Sequence, residues 1–311
     1  MLKTENHYNK NYSYQDVVSI LNEKGIYFKS TCDEVSFNSF CSINEIKSHS
    51  ITWVKNLDEK KKDIISKYHD VLVFADIKDF DDSVKNVIFL NDLKRSFFYV
   101  IEILFSYMNL DIKETKIEST AVVLTEHYGD ELYVGHNCFI DENVKIGNNV
   151  TIMNNVVIQG TVNIGNDVFI ESGSVIGACG FGYYKDDANN PHKVPHLGGI
   201  VIGNHVTIGA GNCISRGSLN NTIIGDYVKT DNLCHIAHSD VLHEGVMLAA
   251  CAELSGSVEV GKDTWIAPGV TVINGAKIGK NVYTGISTNI VRDVPDNSLI
   301  YGNPGKVKEK E

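Results

Sequence analysis

The chain has 311 residues, 43% of them hydrophobic and 22% charged, the proportions of a water-soluble globular protein with room for one large or two modest domains. Its net charge of −11 excludes a general nucleic-acid binder, which needs a basic face, and leaves an anionic substrate only a local site. No apolar run approaches the ~18 residues of a membrane span, and Lys3, Glu5 and Lys10 interrupt any apolar signal core.

Residues 1–11 are polar and read as a frayed start. Ser13 to Gly25 reads as a helix, capped by Ser13 with Asp16 and closed by Gly25, with Val17, Ile20 and Leu21 on one face. A strand follows at Ile51–Asn56, a helix with a charged face at Asp58–Tyr68, buried strands at Val71–Ala75 and Val87–Leu90, and an apolar-faced helix at Phe97–Met108. Alternating elements of this kind predict a small α/β domain over residues 1–111.

From Val134 an aliphatic residue returns at every sixth position as far as Ile176; the beat resumes at Ile202 and again at Ile224, and runs on to Ile290, with Thr230 and Thr284 in two of its slots. Six is a multiple of two, so each repeat keeps the same face of an extended chain inward, whereas a helix would rotate it away. Each hexad reads as one short strand and a corner, and three hexads close a triangular coil of about 18 residues whose neighbours stack as parallel strands. A glycine often comes directly after the aliphatic residue and is expected to supply the tight corner. The domain so defined covers residues 112–295, entered through a ragged cap at Ile112–Glu131 and interrupted by residues 177–199 and by Arg216–Asn221; a tail of residues 296–311 follows. Seven cysteines without a CxxC spacing read as reduced thiols of a cytoplasmic protein, and Cys234, at a small inward position two places before Ile236, reads as core filler.

The hexapeptide pattern resembles the left-handed β-helix acyltransferases. The runs GFGYYKDDANNPHKVPHLGGIVIG and SRGSLNNTIIGDYVKTDNLCHIAH are similar to the UDP-3-O-(3-hydroxyacyl)glucosamine N-acyltransferases of lipid A synthesis, and ITWVKN resembles their uridine-binding segment. The resemblance implies a left-handed parallel β-helix with a small N-terminal α/β domain, assembled as a homotrimer with active sites between neighbouring prisms. Two departures stand out. Asn274-Gly275 is followed by Ala276 where that family has a further histidine, and VPDNSLIYGNPGKV is similar to the tail of CoA-dependent acetyltransferases of nucleotide-linked amino sugars. The expected activity is therefore N-acylation of a dTDP- or UDP-linked amino sugar by an acyl-CoA co-substrate, with no permanently bound cofactor. Acyl-carrier-protein-dependent lipid A synthesis is the alternative.

Amide formation from a thioester needs a base for the amine proton, donors for the oxyanion and fixed reactants. His238, two places beyond inward Ile236, points outward and is the candidate base. The resemblance makes Asp231 the carboxylate that orients it, with Asp240 a local competitor. Gly256, one coil after His238, offers a bare backbone amide as oxyanion donor. For the substrate, the resemblance implies Trp53 and Asn56 at the nucleobase and Arg216, Asn232 and His235 near the sugar and its phosphates; Arg292 and Lys306 are assigned to CoA. A remote alternative is a zinc hydratase on the same kind of coil, suggested by His235, His238 and His243. No histidine lies one or two coils before His238 or His243, so no metal is expected. A purely structural prism would not need the Asp231, His238 and Gly256 set.

Overall fold

The computed structural model describes residues 10–105 and 114–309 and divides into two compact units at Asp111/Ile112. The expected frayed start therefore lies almost entirely outside the described residues, as do the division point and the end of the Phe97–Met108 helix.

The first unit is built on a five-stranded sheet with strands in the order Phe28–Ser30, Val87–Leu90, Leu72–Asp76, Ser50–Val54 and Ser39–Phe40. The first pairing is antiparallel and the others parallel. Both faces are covered, which is why the central strands read as unbroken apolar runs. One face packs against helices α1 (Tyr14–Glu23) and α3 (Leu93–Phe105), the other against α2 (Glu59–Ile65). The Ser13 and Asp16 capping box forms as expected. Asp58 caps α2 by accepting from Lys61 N at 2.9 Å. Helix α3 begins four residues ahead of the apolar stripe, because Asp92 accepts from Ser96 N at 3.0 Å and so starts the helix while Lys94 and Arg95 are still on its outer side.

The second unit is a three-sided coil. Tyr133 pairs in parallel with Thr151, and Thr151 with Phe169, and the backbone of Asp130 reaches Asn148 across a separation of 18 residues. The sides carry eleven, nine and seven described strands. The aliphatic slots all point inward and form one continuous core from Leu132 to Ile300. Both threonine slots, Thr230 and Thr284, are buried as well. Phe169 then pairs with Thr207, and Thr207 with Lys229, so both interruptions leave from corners and return in register. The longer one carries an antiparallel hairpin, Tyr183–Lys185 with Pro191–Lys193. The tail begins with one more strand of the coil: Ser298–Tyr301 stacks on Tyr283–Thr284 and places Ile300 in the core, and Lys306–Glu309 folds back on it antiparallel.

The corners turn differently from the expectation. The left-handed backbone sits at the third residue after the aliphatic one, at Asn149 (φ 52°), Asp167 (φ 56°), Ser239 (φ 63°) and Ser257 (φ 62°). Short polar side chains tolerate that region best after glycine. Glycine directly after the aliphatic residue serves close stacking instead: a Cβ on Gly165 would stand 2.6 Å from Gly203 O on the next coil.

Candidate active site

One corner of the coil gathers most of the expected chemistry. The nine-stranded side runs through Cys213–Arg216, His235–Ile236, Glu253–Leu254, Thr271–Val272 and Asn289–Ile290 in neighbouring coils. The residue two places after each aliphatic slot therefore forms a column along that edge, in the order Arg216, His238, Gly256, Asn274, Arg292. Periodicity alone put His238 and Gly256 in adjacent coils, and the structure packs them together. A Cβ on Gly256 would lie 2.5 Å from His238 Cε1 and 2.6 Å from its Nε2, so only glycine leaves room for the ring in this position.

Gly256 is held on both sides, through Ser255 N, which donates to Val272 O at 3.1 Å, and through its own carbonyl. Gly275 N donates to Gly256 O at 2.9 Å, and the Asn274 side-chain amide, oriented to suit its neighbours, donates to the same oxygen at 2.9 Å. The Gly256 N–H donates to no acceptor among the described residues. An unspent backbone N–H in a chain held on either side of it is what an oxyanion donor requires.

The other side of the His238 ring is closed by the long insertion. A Cβ on Gly180 would lie 2.7 Å from His238 Cδ2 and 2.7 Å from His196 Nε2. His196, 6% exposed, packs its ring against His238 with centroids 5.2 Å apart and planes tilted by 66°. Burial, and then the neighbouring His196, hold the His238 imidazole below its usual value. His238 is thus an uncharged base at neutral pH, with Nδ1 buried and without a hydrogen-bond partner among the described residues. Neither Gly180 nor His196 was legible as a site residue, because the insertion breaks the period and nothing in the sequence says where its returning end lands.

Within one chain the two candidate carboxylates do not meet the His238 ring. Asp231 follows the strand Lys229–Thr230 on one side of the coil and His238 follows His235–Ile236 on the next, so the two occupy different corners of the same turn. Asp231 is exposed, and its Oδ1 accepts from Asn232 N at 2.7 Å. Asp240 does not reach the ring either. It fills an inward slot with no exposed surface, where Oδ1 accepts from Val258 N at 2.8 Å and Oδ2 has no partner.

Burial pushes the Asp240 carboxyl up to about 9, against the pull of the Val258 and Ala237 N–H groups. The folded chain therefore keeps this proton where the unfolded chain, titrating near ~4, has lost it. The sign follows: this group's contribution to stability is greatest below about 4 and declines as pH rises towards about 9. Asp240→Asn is isosteric and should flatten that decline. Guanidinium unfolding at pH ~5 and ~9 checks it; parallel losses in the variant and the wild type would remove Asp240 as the source.

The remaining expected residues are dispersed. Arg216 lies one coil before His238, but its Nε donates to Gly177 O at 2.7 Å and its guanidinium covers Gly160. Asn232 accepts from Ala210 N at 2.7 Å and belongs to a corner ladder. His235 is half-buried on the outer side of the coil beside Glu253, which accepts from Ser255 Oγ at 3.2 Å. Arg292 is exposed two coils beyond Gly256, and Lys306 is exposed on the terminal hairpin. In the first unit, Trp53 is half-buried against Phe97 and Phe98, with centroids at 6.1 and 5.9 Å; Asn56 is exposed just past the end of the same strand. Cys234 is core filler as expected: it is buried, and burial pushes its thiol up to about 11. Among the described residues no three His, Cys, Asp or Glu side chains converge as a metal-holding group, and no helix is long and apolar enough to cross a membrane.

Known proteins resemble this chain in sequence and fold. The family described as bacterial transferase hexapeptide (six repeats) matches residues 143–178. The chain is 50% identical over 96 residues to UDP-3-O-acylglucosamine N-acyltransferase 2 of Legionella pneumophila, covering 31% of this chain and 28% of that protein. It is 37% identical over 147 residues to the protein of the same name from Rhodopseudomonas palustris, covering 47% and 39%. The chain thus spans less than half the length of these curated relatives. The solved UDP-N-acetylglucosamine acyltransferase from Campylobacter jejuni superposes with a TM-score of 0.55 at 26% identity, covering 62% of this chain and 74% of that one. With its three parallel sides, its 18-residue turn and the hexapeptide repeat matched at residues 143–178, the chain shares the coiled fold of the acyltransferases it resembles.

Proposed function

We propose that the protein is an N-acyltransferase that moves an acyl group from a thioester to the amine of a nucleotide-linked amino sugar. The observation that carries this reading is the packing of an uncharged, half-buried imidazole against a glycine that is anchored through its carbonyl and whose N–H, on the preceding peptide, is unspent among the described residues. His238 takes a proton from the amine as its nitrogen attacks the thioester carbonyl. The Gly256 N–H stabilises the resulting oxyanion, the C–S bond breaks, and the thiolate recovers the proton from the imidazolium. A homotrimer, in which a neighbouring prism closes the groove over this corner, completes the reading.

The name shared by the curated relatives supports a UDP-linked 3-O-acylglucosamine as the acceptor. It favours the lipid A alternative, with its acyl-carrier donor, over the acyl-CoA donor suggested by the tail. The deciding experiment sets acyl-carrier proteins and acyl-CoAs of several chain lengths against UDP- and dTDP-amino sugars and reads product mass. Amide formation with any pair supports N-acyl transfer, the preferred pair identifies the donor and acceptor, and no product with any pair overturns the reading.

Trp53 is assigned to the nucleobase through its partly open indole face, and Trp53→Ala should raise the KM for the nucleotide sugar ~10-fold with little change in kcat. If only the thioester dependence moved, the first unit would have no role in holding the base.

A further inference from the structure

Two buried imidazole nitrogens in neighbouring rings lack a hydrogen-bond partner among the described residues: Nε2 of His196 and Nδ1 of His238. An orphaned buried polar atom is costly, and two side by side need a common explanation. The protonation of His196 follows from its other nitrogen. Nδ1 lies 2.9 Å from Val194 O, and a carbonyl only accepts, so Nδ1 carries the hydrogen and Nε2 of the neutral ring is a bare lone pair. That lone pair faces His238 across Gly180, with His238 Cδ2 as the ring atom on the opposite side of the same small space.

Half a turn of the His238 ring about its Cβ–Cγ bond exchanges Nδ1 with Cδ2 and leaves the ring's outline unchanged. Nδ1 then stands opposite His196 Nε2. The 5.2 Å between ring centres is the separation a direct hydrogen bond demands, since the two nitrogens stand about 3 Å apart and each lies about 1.1 Å from its own ring centre. One rotation pairs both orphans.

Building on the acyl-transfer reading, we propose that His196 is the positioning residue of the His238 base: its Nε2 accepts a hydrogen bond from His238 Nδ1–H, which fixes the tautomer that leaves His238 Nε2 free to take the substrate's proton. His196 thereby fills the place that the resemblance assigned to Asp231. A neutral acceptor orients the ring as a carboxylate would, and adds no buried negative charge to the corner. The charged groups around the pair are otherwise engaged. On the preceding coil Arg216 is bonded to Gly177 O; Asp240, inside the coil, keeps its proton; on the following coil Glu253 accepts from Ser255.

The test compares His196→Phe, which keeps a ring and loses the acceptor, with His196→Gln, which keeps an acceptor. The Phe variant should lose ~10–10²-fold in kcat with the donor and acceptor KM unchanged, and the Gln variant should stay within ~3-fold of wild type. Independently of any substrate, side-chain nitrogen NMR of ¹⁵N-histidine-labelled protein should show His238 with Nδ1 protonated and Nε2 bare, a preference lost in the Phe variant. The proposal is overturned by an Nε2–H tautomer of His238 in the wild type, by wild-type kcat in the Phe variant, or by a Gln variant as impaired as the Phe variant. If the wild type transfers no acyl group, the functional reading fails, and the NMR arm still decides whether the two rings are paired.

Discussion

Replacing His238 with alanine is expected to lower kcat by ~10²–10⁴-fold and to leave the unfolding transition where it is. The ring stands at an outer corner, and the core from Leu132 to Ile300 is built without it, so its removal opens no cavity among the aliphatic ladders. What is lost is the only imidazole packed against Gly256 among the described residues; the attacking amine must then give its proton to water. Steady-state turnover together with circular dichroism of the purified variant checks both halves, and undiminished turnover would remove His238 from the mechanism. The wild-type pH profile offers a second check. A base whose imidazole is held below its ordinary value must be neutral to act, so kcat/KM should rise with pH through a value below ~6.5 and level off above it. A profile that falls across that range would assign His238 the opposite role.

A large loss of stability from a single methyl group is expected at Gly177. Its φ is 94°, where an L-residue is strained, and a Cβ there would overlap the carbonyl oxygen of Gln159 on the preceding coil. Both partners are backbone, so neither can turn away; Gly177 sits at the register shift between Ile176 and Ala178 against the next strand, and its carbonyl also accepts from Arg216 Nε. Gly177→Ala should cost at least ~3 kcal/mol, the sum of an overpacked contact and a disfavoured backbone. Gly275→Ala is the control: φ is 75° and nothing lies within 4 Å of the added carbon, so only the backbone cost of ~1–2 kcal/mol remains. Denaturant midpoints of the two variants separate the terms, and equal losses would mean that the coil spacing at Gly177 yields to a methyl group.

The corner column shows how far the repeat could be read. A strict period of six carries register with it, so placing Ile236 and Leu254 inward also placed His238 and Gly256 at one corner in successive coils. The same arithmetic kept Asp231 off that corner, since seven residues carry the chain past a full strand and onto the next side. The resemblance had joined Asp231 to His238, and the coil separates them within one chain. The glycines were misassigned for a related reason. Frequency marked the position after the aliphatic residue as special, but two demands select glycine there or nearby, a left-handed turn and a close approach between coils. Only backbone angles and distances tell them apart: Ser257 turns the corner, and Gly165 lets two coils touch.

The amino-acid sequence by itself determined the architecture: a small sheet covered by helices, then a triangular coil with its aliphatic ladders inside and Cys234 spent as filler. This follows because periodic burial is a local property, repeated until no other fold accommodates it. The tertiary structure alone decided what surrounds the imidazole. His196 arrives from an insertion that obeys no period, and it comes to lie against His238 only because that insertion returns to the coil in register. The interior slot at Asp240 likewise became a protonated acid through burial that no neighbouring residue announces. Contacts made across a break in the repeat depend on where a loop lands, and that is settled by packing in three dimensions.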